Sequence, residues 1–273
     1  AGVLKVGSAT GLGNNGSAVS IADGAALDLN GQTMTNTNAL TINGTGISNT
    51  GALTNSSGTS ATYAGSISLG SISSIGSTSG AIAVSGAISD ANAYGLALIG
   101  SKAITLSSTS NTLGTIASGT SLGAITIVND ADLTIGSVTA GGTAYNGLHS
   151  TGDISVKTTH NLNISQSVAT DSTSATASAP ALLLAAGSSG SSGDVTYNIK
   201  LSGSPTFTVG SGGIVDFYSG DMDHSTGLTN YVDARSSKSY TYNSTLSTQP
   251  TSAGYNVIYR GSPPIVYLTI VNG

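Results

Sequence analysis

The sequence predicts an all-β chain that forms a right-handed parallel β-helix over most of its length, and three observations predict it. The pattern LGAITIVNDADLTIG from Leu122 recurs as TGDISVKTTHNLNIS from Thr151, so Ile125, Ile127, Leu133 and Ile135 match Ile154, Val156, Leu162 and Ile164 at a constant offset of 29 residues. One offset shared by two apolar doublets means that two strands and the turn between them recur as a unit, as in stacked-repeat folds. All 12 acidic residues are Asp, beside 38 Gly; Asp suits turns and Glu suits helices, which argues against substantial helix. Only 7% of residues are charged, against about 25% in ordinary domains, yet Ile, Val and Leu recur in strand alternation, which disordered chains lack.

Each element follows from the same alternation. In Ile125-Thr126-Ile127 the two apolar side chains face inward and the hydroxyl faces solvent. Equivalent triplets are Ile82-Ala83-Val84, Ile104-Thr105-Leu106, Ile154-Ser155-Val156 and Val195-Thr196-Tyr197, whose leading residues step by 22, 21, 29 and 41. A coil takes roughly 20 to 30 residues, so the last step implies a loop bulging over Asp171 to Gly193. Within it, the small residues from Ala179 to Ala186 suit a corner where the cross-section narrows, and Ser188 to Gly193 reads as an exposed loop. Right-handed coiling is expected because parallel crossovers are almost always right-handed.

Upstream, Val3 to Val6, Ala18 to Ile21, Ala25 to Leu29, Ala39 to Ile42 and Ser66 to Leu69 read as short strands. Beyond about Leu201 the composition shifts, since eight of the 11 Tyr, both Phe and four of the five Pro follow Val195. Strands are expected there over Pro205 to Val209, Ile214 to Tyr218, Ser239 to Asn243, Tyr255 to Tyr259 and Ile265 to Val271. The organisation is therefore a repeat region, 1–200, and a β-rich segment, 201–273, which is either the last coils, a widened aromatic-rich cap, or a small β module.

Two stretches carry a resemblance. Gly2-Val3-Leu4-Lys5-Val6-Gly7, followed by Gly16-Ser17-Ala18-Val19-Ser20-Ile21 and Gly24-Ala25-Ala26-Leu27-Asp28-Leu29-Asn30-Gly31, resembles the autotransporter-associated β-strand repeat. Phe217-Tyr218-Ser219-Gly220 and Tyr255-Asn256-Val257-Ile258-Tyr259-Arg260 resemble the recurrent segment of filamentous-haemagglutinin-like bacterial adhesins. The resemblance implies a fragment of a secreted, extracellular cell-surface adhesin, exported through an outer-membrane partner, with a host or environmental surface glycan or protein, or a second copy, as its partner and no catalysis. Two rival readings are a polysaccharide-processing β-helix enzyme and a phage, S-layer or other extracellular structural fibre.

Composition removes other classes. The chain has no cysteine, so disulfides and thiolate metal sites are impossible. Seven scattered Lys and Arg with a net charge of -5 cannot form the basic face that phosphate contacts require, which excludes a nucleic-acid partner. No cofactor is expected. Asp221, Asp223 and His224 have the spacing of a cation-binding loop, with a polar turn as the plainer reading. Asp153 and Asp194 each precede a triplet and are placed to stack on adjacent coils, where with Asp132 they would form the carboxylate groove of a glycosidic enzyme. The 29-residue offset carries Asp130 and Asp132 onto Thr159 and Asn161, so those charges do not repeat. His149 and His160 read as surface turn residues. The outward residues Ala83, Thr105, Thr126, Ser155 and Thr196 form a possible hydroxyl ladder, and the C-terminal tyrosines are read as half-buried packing before sugar platforms.

Overall fold

The computed structural model describes residues 1–176, 178–250 and 253–264; the strand expected over 265–271 lies outside them. The chain winds as a parallel β-helix of three faces per coil. The first face stacks Ala61–Tyr63, Ile82–Val84, Ile104–Leu106, Ile125–Asn129, Ile154–Thr158, Leu182–Ala185, Val215–Ser219 and Tyr255–Tyr259, with Lys238–Thr241 on its edge. The second carries Val19–Ile21, Leu40–Gly44 and Ile88–Ser89, and further along Leu133–Ile135, Leu162–Ile164 and Ile199–Leu201, the first of which joins the same sheet by pairing with Thr115–Ser118. The third carries Val3–Lys5, Ala26–Asp28, Leu53–Thr54, Leu96–Gly100 and Thr115–Ser118, and is continued by Leu148–Ser150, Val168–Thr170 and Phe207–Thr208. The single long strand Ile67–Ser77 turns the corner between the second and third faces: it starts beside Leu40–Gly44 and ends beside Leu96–Gly100, with a register shift between Ile42 and Gly44.

The repeat offset is the register. Ile125 pairs with Ile154 and Leu133 with Leu162, all in parallel. Inward columns result: Ile82, Ile104, Ile125, Ile154, Leu182 and Val215 beside Val84, Leu106, Ile127, Val156, Leu184 and Phe217, every one fully buried or nearly so. Each such side chain contributes about 1.5–3 kcal/mol of transfer free energy, set against the cost of ordering the backbone.

The register also corrects the sequence reading. Val195-Thr196-Tyr197 is not a strand; the triplet stacked on Ile154-Ser155-Val156 is Leu182-Leu183-Leu184. The run expected to narrow a corner is thus a core strand, because Leu182 and Leu184 supply the large side chains that Val195 and Tyr197 were assigned. The outward column passes from Ser155 to Leu183, so the hydroxyl ladder ends there. Residues 171–193 do not bulge as one loop. They contain the small hairpin Ala175–Thr176 with Ala179–Pro180, and then the core strand.

Turns are fixed by specific chemistry. The Asp28 carboxylate accepts from Asn30 N at 2.9 Å, Ser56 N at 3.0 Å and Ser56 Oγ at 2.5 Å, knitting two coils. Asn30 and Gly31 follow at φ 50° and 74°, a left-handed pair that this dipeptide adopts readily. Buried asparagines do the same work at other corners. Asn55 accepts from Gly31 N (2.9 Å) and donates to Ala81 O (2.9 Å). Asn111 accepts from Ile88 N (2.7 Å) and donates to Val128 O (2.8 Å). Asn129 accepts from Leu113 N (2.8 Å) and donates to Ala131 O (2.9 Å). Corner backbone cannot join the strand ladders, and these amides satisfy it without water.

Two insertions sit on this frame. The antiparallel hairpin Ser137–Ala140 with Thr143–Asn146 closes on Gly141-Gly142, at φ 57° and 77°, and lays Val138, Ala140 and Tyr145 over Ala97, Ile99 and Ala117 outside the third face. Its length helps stretch the coil step from 21 to 29 residues. At the C-terminal end the short helix Leu228–Asp233 packs Leu228 and Val232 into the core. Phe207 there meets Phe217 at 5.0 Å and Tyr231 at 4.9 Å, both edge-on, and Tyr240 and Tyr242 stack on Tyr259. The aromatic shift in composition is the ring packing among these last described coils.

The corner amides give the first prediction. Asn129→Leu orphans the Leu113 N–H and lowers stability by about 3 kcal/mol, whereas Thr126→Val, on the outward column, changes it by no more than about 0.5 kcal/mol. Urea unfolding followed by circular dichroism distinguishes the two.

Candidate functional site

The polar groups singled out in the sequence fall into three places. At the corner between the first and second faces, Thr159 Oγ1 donates to Asp130 Oδ1 at 2.5 Å and Asn161 N to Asp132 Oδ1 at 3.0 Å. The two carboxylates therefore cap the next coil's turn, and no acidic groove builds up. His160 shares this corner, its ring 4.6 Å from that of Tyr197 and its Nδ1 2.9 Å from Thr159 Oγ1. His149 lies at the base of the hairpin, Nε2 3.0 Å from Asn146 O.

Asp153 and Asp194 do not stack, contrary to the sequence expectation. Ile154 N donates to Ala181 O, so the residue one coil beyond Asp153 is Ala181. The Asp153 carboxylate instead receives Ser172 Oγ and Ser174 Oγ, the latter at 2.8 Å. Asp194 belongs to the loop before the second face, where its Oδ1 accepts from Thr196 N at 2.9 Å. That bond, more than the nearby Arg260, holds its carboxyl below the usual range. With Asp132 committed to Asn161, the three carboxylates serve three separate turns.

The third place is the loop at 220–226. Asn198 Oδ1 accepts from Asp221 N at 2.9 Å, and Asp221 in turn accepts from His224 N at 2.7 Å and lies 2.8 Å from His224 Nδ1. Asp221 is spent on shaping the turn and orienting the imidazole, whose ring is 69% exposed. Asp223 points to solvent on the rim of an open groove of about 490 Å³ that also holds Lys200, Thr196, Thr226 and His224. Among the described residues no three His, Cys, Asp or Glu side chains come together as a metal site, and the bond from His224 N to Asp221 Oδ1 makes an Asx-type turn of this loop.

Sequence reasoning missed Arg260. Its side chain is buried and donates to Ala186 O (2.7 Å), Tyr197 O (2.7 Å) and Asp194 O (3.0 Å). Burial lowers its pKa, opposed by Asp194. The guanidinium fork thereby pins the glycine-rich 187–197 loop, and Gly187, at φ 57°, lies where a Cβ would stand 2.2 Å from Nη2. The only sequence signal was that Arg260 ends a strand of apolar and aromatic residues, where a lone arginine needs a partner set.

Comparison with protein-family profiles, with curated proteins and with solved structures found no match for this chain. Among the described residues no helix is long and apolar enough to cross a membrane.

The turn reading of the loop has a consequence for metals and for stability. Millimolar Ca²⁺ or Zn²⁺ leaves Tm unchanged, whereas Asp221→Ala lowers stability by about 1 kcal/mol through loss of the turn bond. Differential scanning fluorimetry reads both.

Proposed function

We propose that the chain is a segment of a secreted bacterial cell-surface adhesin, a β-helical stalk or contact surface without catalysis. One observation carries the reading: the three faces repeat their core and turns from coil to coil, while every carboxylate weighed as catalytic is committed to a local turn. A glycosidic mechanism needs two carboxyl groups facing one bond across roughly 5 to 10 Å, one of them with a raised pKa, whereas Asp132, Asp153 and Asp194 are each hydrogen-bonded into a different turn, Asp132 and Asp194 at one corner but in different coils. The N-terminal and C-terminal motifs resembling autotransporter repeats and filamentous-haemagglutinin-like adhesins support the same class, which places the chain outside the cell and requires an export partner.

Contact surface is available on the outer faces. The second face presents Ser20, Thr41, Ser68 and Ser89 in one register column, and the first presents Thr62, Ala83, Thr105, Thr126 and Ser155. These columns are uncharged and thick with hydroxyls, suited to glycan or protein surfaces through many weak contacts. The tyrosines contribute less than their number suggests: Tyr231 and Tyr255 donate to Phe207 O at 3.2 and 2.9 Å, and Tyr259 is fully buried.

A glycan and matrix-protein array probed with the purified chain tests the reading. Binding that survives in Asp132→Asn and Asp153→Asn is the expected result. Depolymerisation of any arrayed polysaccharide, lost in those variants, overturns it.

A further inference from the structure

We infer that Asn15-Gly16 is a self-modifying site, at which the Gly16 amide nitrogen closes on the Asn15 carboxamide, expels ammonia and leaves aspartate or isoaspartate at position 15. The inference stands apart from the adhesin reading and rests on the hydrogen bonds of the described turns.

The sequence contains five Asn-Gly dipeptides, at 15–16, 30–31, 43–44, 146–147 and 272–273, the last outside the described residues. Glycine is the residue that hinders this ring closure least, because no Cβ stands beside the attacking nitrogen. Closure also needs that nitrogen to be unengaged. At three of the four described dipeptides it is spent: Gly31 N donates to Asn55 Oδ1 at 2.9 Å, Gly44 N to Ser71 Oγ at 3.0 Å and Gly147 N to Gly136 O at 2.8 Å. Their carboxamides are held too. Asn30 Nδ2 donates to Val6 O at 3.0 Å, Asn43 Nδ2 donates to Ile21 O at 2.9 Å, and Asn146 Oδ1 accepts from Ser137 Oγ at 2.7 Å. The three glycines are also walled in, since a Cβ on them would collide with Ser57 Oγ, Asp23 Oδ1 and Ser167 O respectively.

Asn15-Gly16 differs in each respect. Both residues are exposed, in the turn between Val3–Lys5 and Val19–Ile21, and Gly16, at φ 91°, has no atom within 4 Å of where a Cβ would stand. Residues 36–38 of the next coil grip this turn by its oxygens alone. Asn36 Nδ2 donates to Gly13 O, Asn38 Nδ2 to Asn14 O at 2.8 Å and Ser17 O at 2.9 Å, and Thr37 N to Asn15 Oδ1 at 2.9 Å. Neither Gly16 N nor Asn15 Nδ2 bonds to a protein group among the described residues. The nucleophile and the leaving group are therefore free, while the carbonyl they share is polarised by a fixed backbone N–H. A backbone donor can meet only the oxygen of the carboxamide, which fixes its orientation.

The step balances with water alone. Gly16 N gives its proton to solvent base and bonds to Asn15 Cγ, and the charge that develops on Oδ1 meets the Thr37 N–H already in place. Collapse breaks the Cγ–Nδ2 bond, and Nδ2 leaves as ammonia with a proton from solvent. Water then opens the succinimide at either carbonyl, giving aspartate or isoaspartate; one water is consumed, one ammonia is released, and nothing is oxidised or reduced. Each product adds a negative charge to the outside of this turn. The other three sites must first give up native hydrogen bonds, which slows them by a factor on the order of ten or more.

Peptide mapping by mass spectrometry tests this on the folded chain kept in mildly alkaline buffer, beside the same chain unfolded in urea. In the folded chain position 15 gains the mass of NH2 replaced by OH, with isoaspartate among the products, while Asn30, Asn43 and Asn146 lag by a factor on the order of ten or more. In urea the four sites converge. Asn15→Gln, whose longer side chain disfavours the ring, abolishes the change at that position. No conversion at Asn15, equal rates at the four sites in the folded chain, a lead at Asn15 that persists undiminished in urea, or a product that is aspartate alone overturns the inference.

Discussion

Parallel pairing between equivalent residues of successive coils is the constraint on which everything else depends. Ile82 N donates to Ala103 O, Ile104 N to Ala124 O, Ile125 N to Asp153 O and Ile154 N to Ala181 O, each within 2.9–3.0 Å. Since strands stand about 4.8 Å apart and side chains alternate across the sheet, this ladder stacks like upon like. An apolar column becomes a core, and a corner polar residue meets the backbone of the next corner. A one-residue slip would turn every inward side chain outward, so the irregular parts of the chain are confined to places where they leave the register alone. The 137–146 hairpin leaves at a corner and returns to one. So does the loop that Arg260 pins.

Legibility in the sequence followed that constraint. The apolar doublets at 125–135 and 154–164 revealed the register because nothing else in the chain forces a 29-residue offset onto four positions. The next coil hid its register. There the small-residue run disguised Leu182 and Leu184 as a corner, while Val195-Thr196-Tyr197 imitated the triplet without an inward column to join. The hairpin had a local signal, Gly141-Gly142 between alternating residues, which stands outside the repeat period. Asn129 and Asp216 had none and Arg260 only its place at the end of an apolar and aromatic strand, since their roles come from residues 16 to 74 positions away.

For the candidate site, the offset of Asp130 and Asp132 onto Thr159 and Asn161 was readable, and the hydrogen bonds between those pairs show why it mattered. Acidic residues in this chain cap turns: Asp28, Asp130, Asp132, Asp194 and Asp221 all accept from residues of their own or the following turn. The Asp153–Asp194 pair misled because both precede a Val or Ile doublet, and only the register shows that one of those doublets is not a strand. Asp216 is the exception among the carboxylates, buried on the outward side of its strand with Oδ1 bonded to Asn256 and Oδ2 without a hydrogen-bond partner among the described residues.

Because the chain contains no cysteine, paired spin labels report the coil stacking directly. Labels at Thr62→Cys and Ser155→Cys, four coil steps apart on the first face, should give by pulsed electron paramagnetic resonance a backbone separation of about 19 Å, and Thr62→Cys with Thr105→Cys about 10 Å. Separations that fail to grow in proportion to coil number, or that exceed these by more than the label length, would contradict a parallel β-helix in this register.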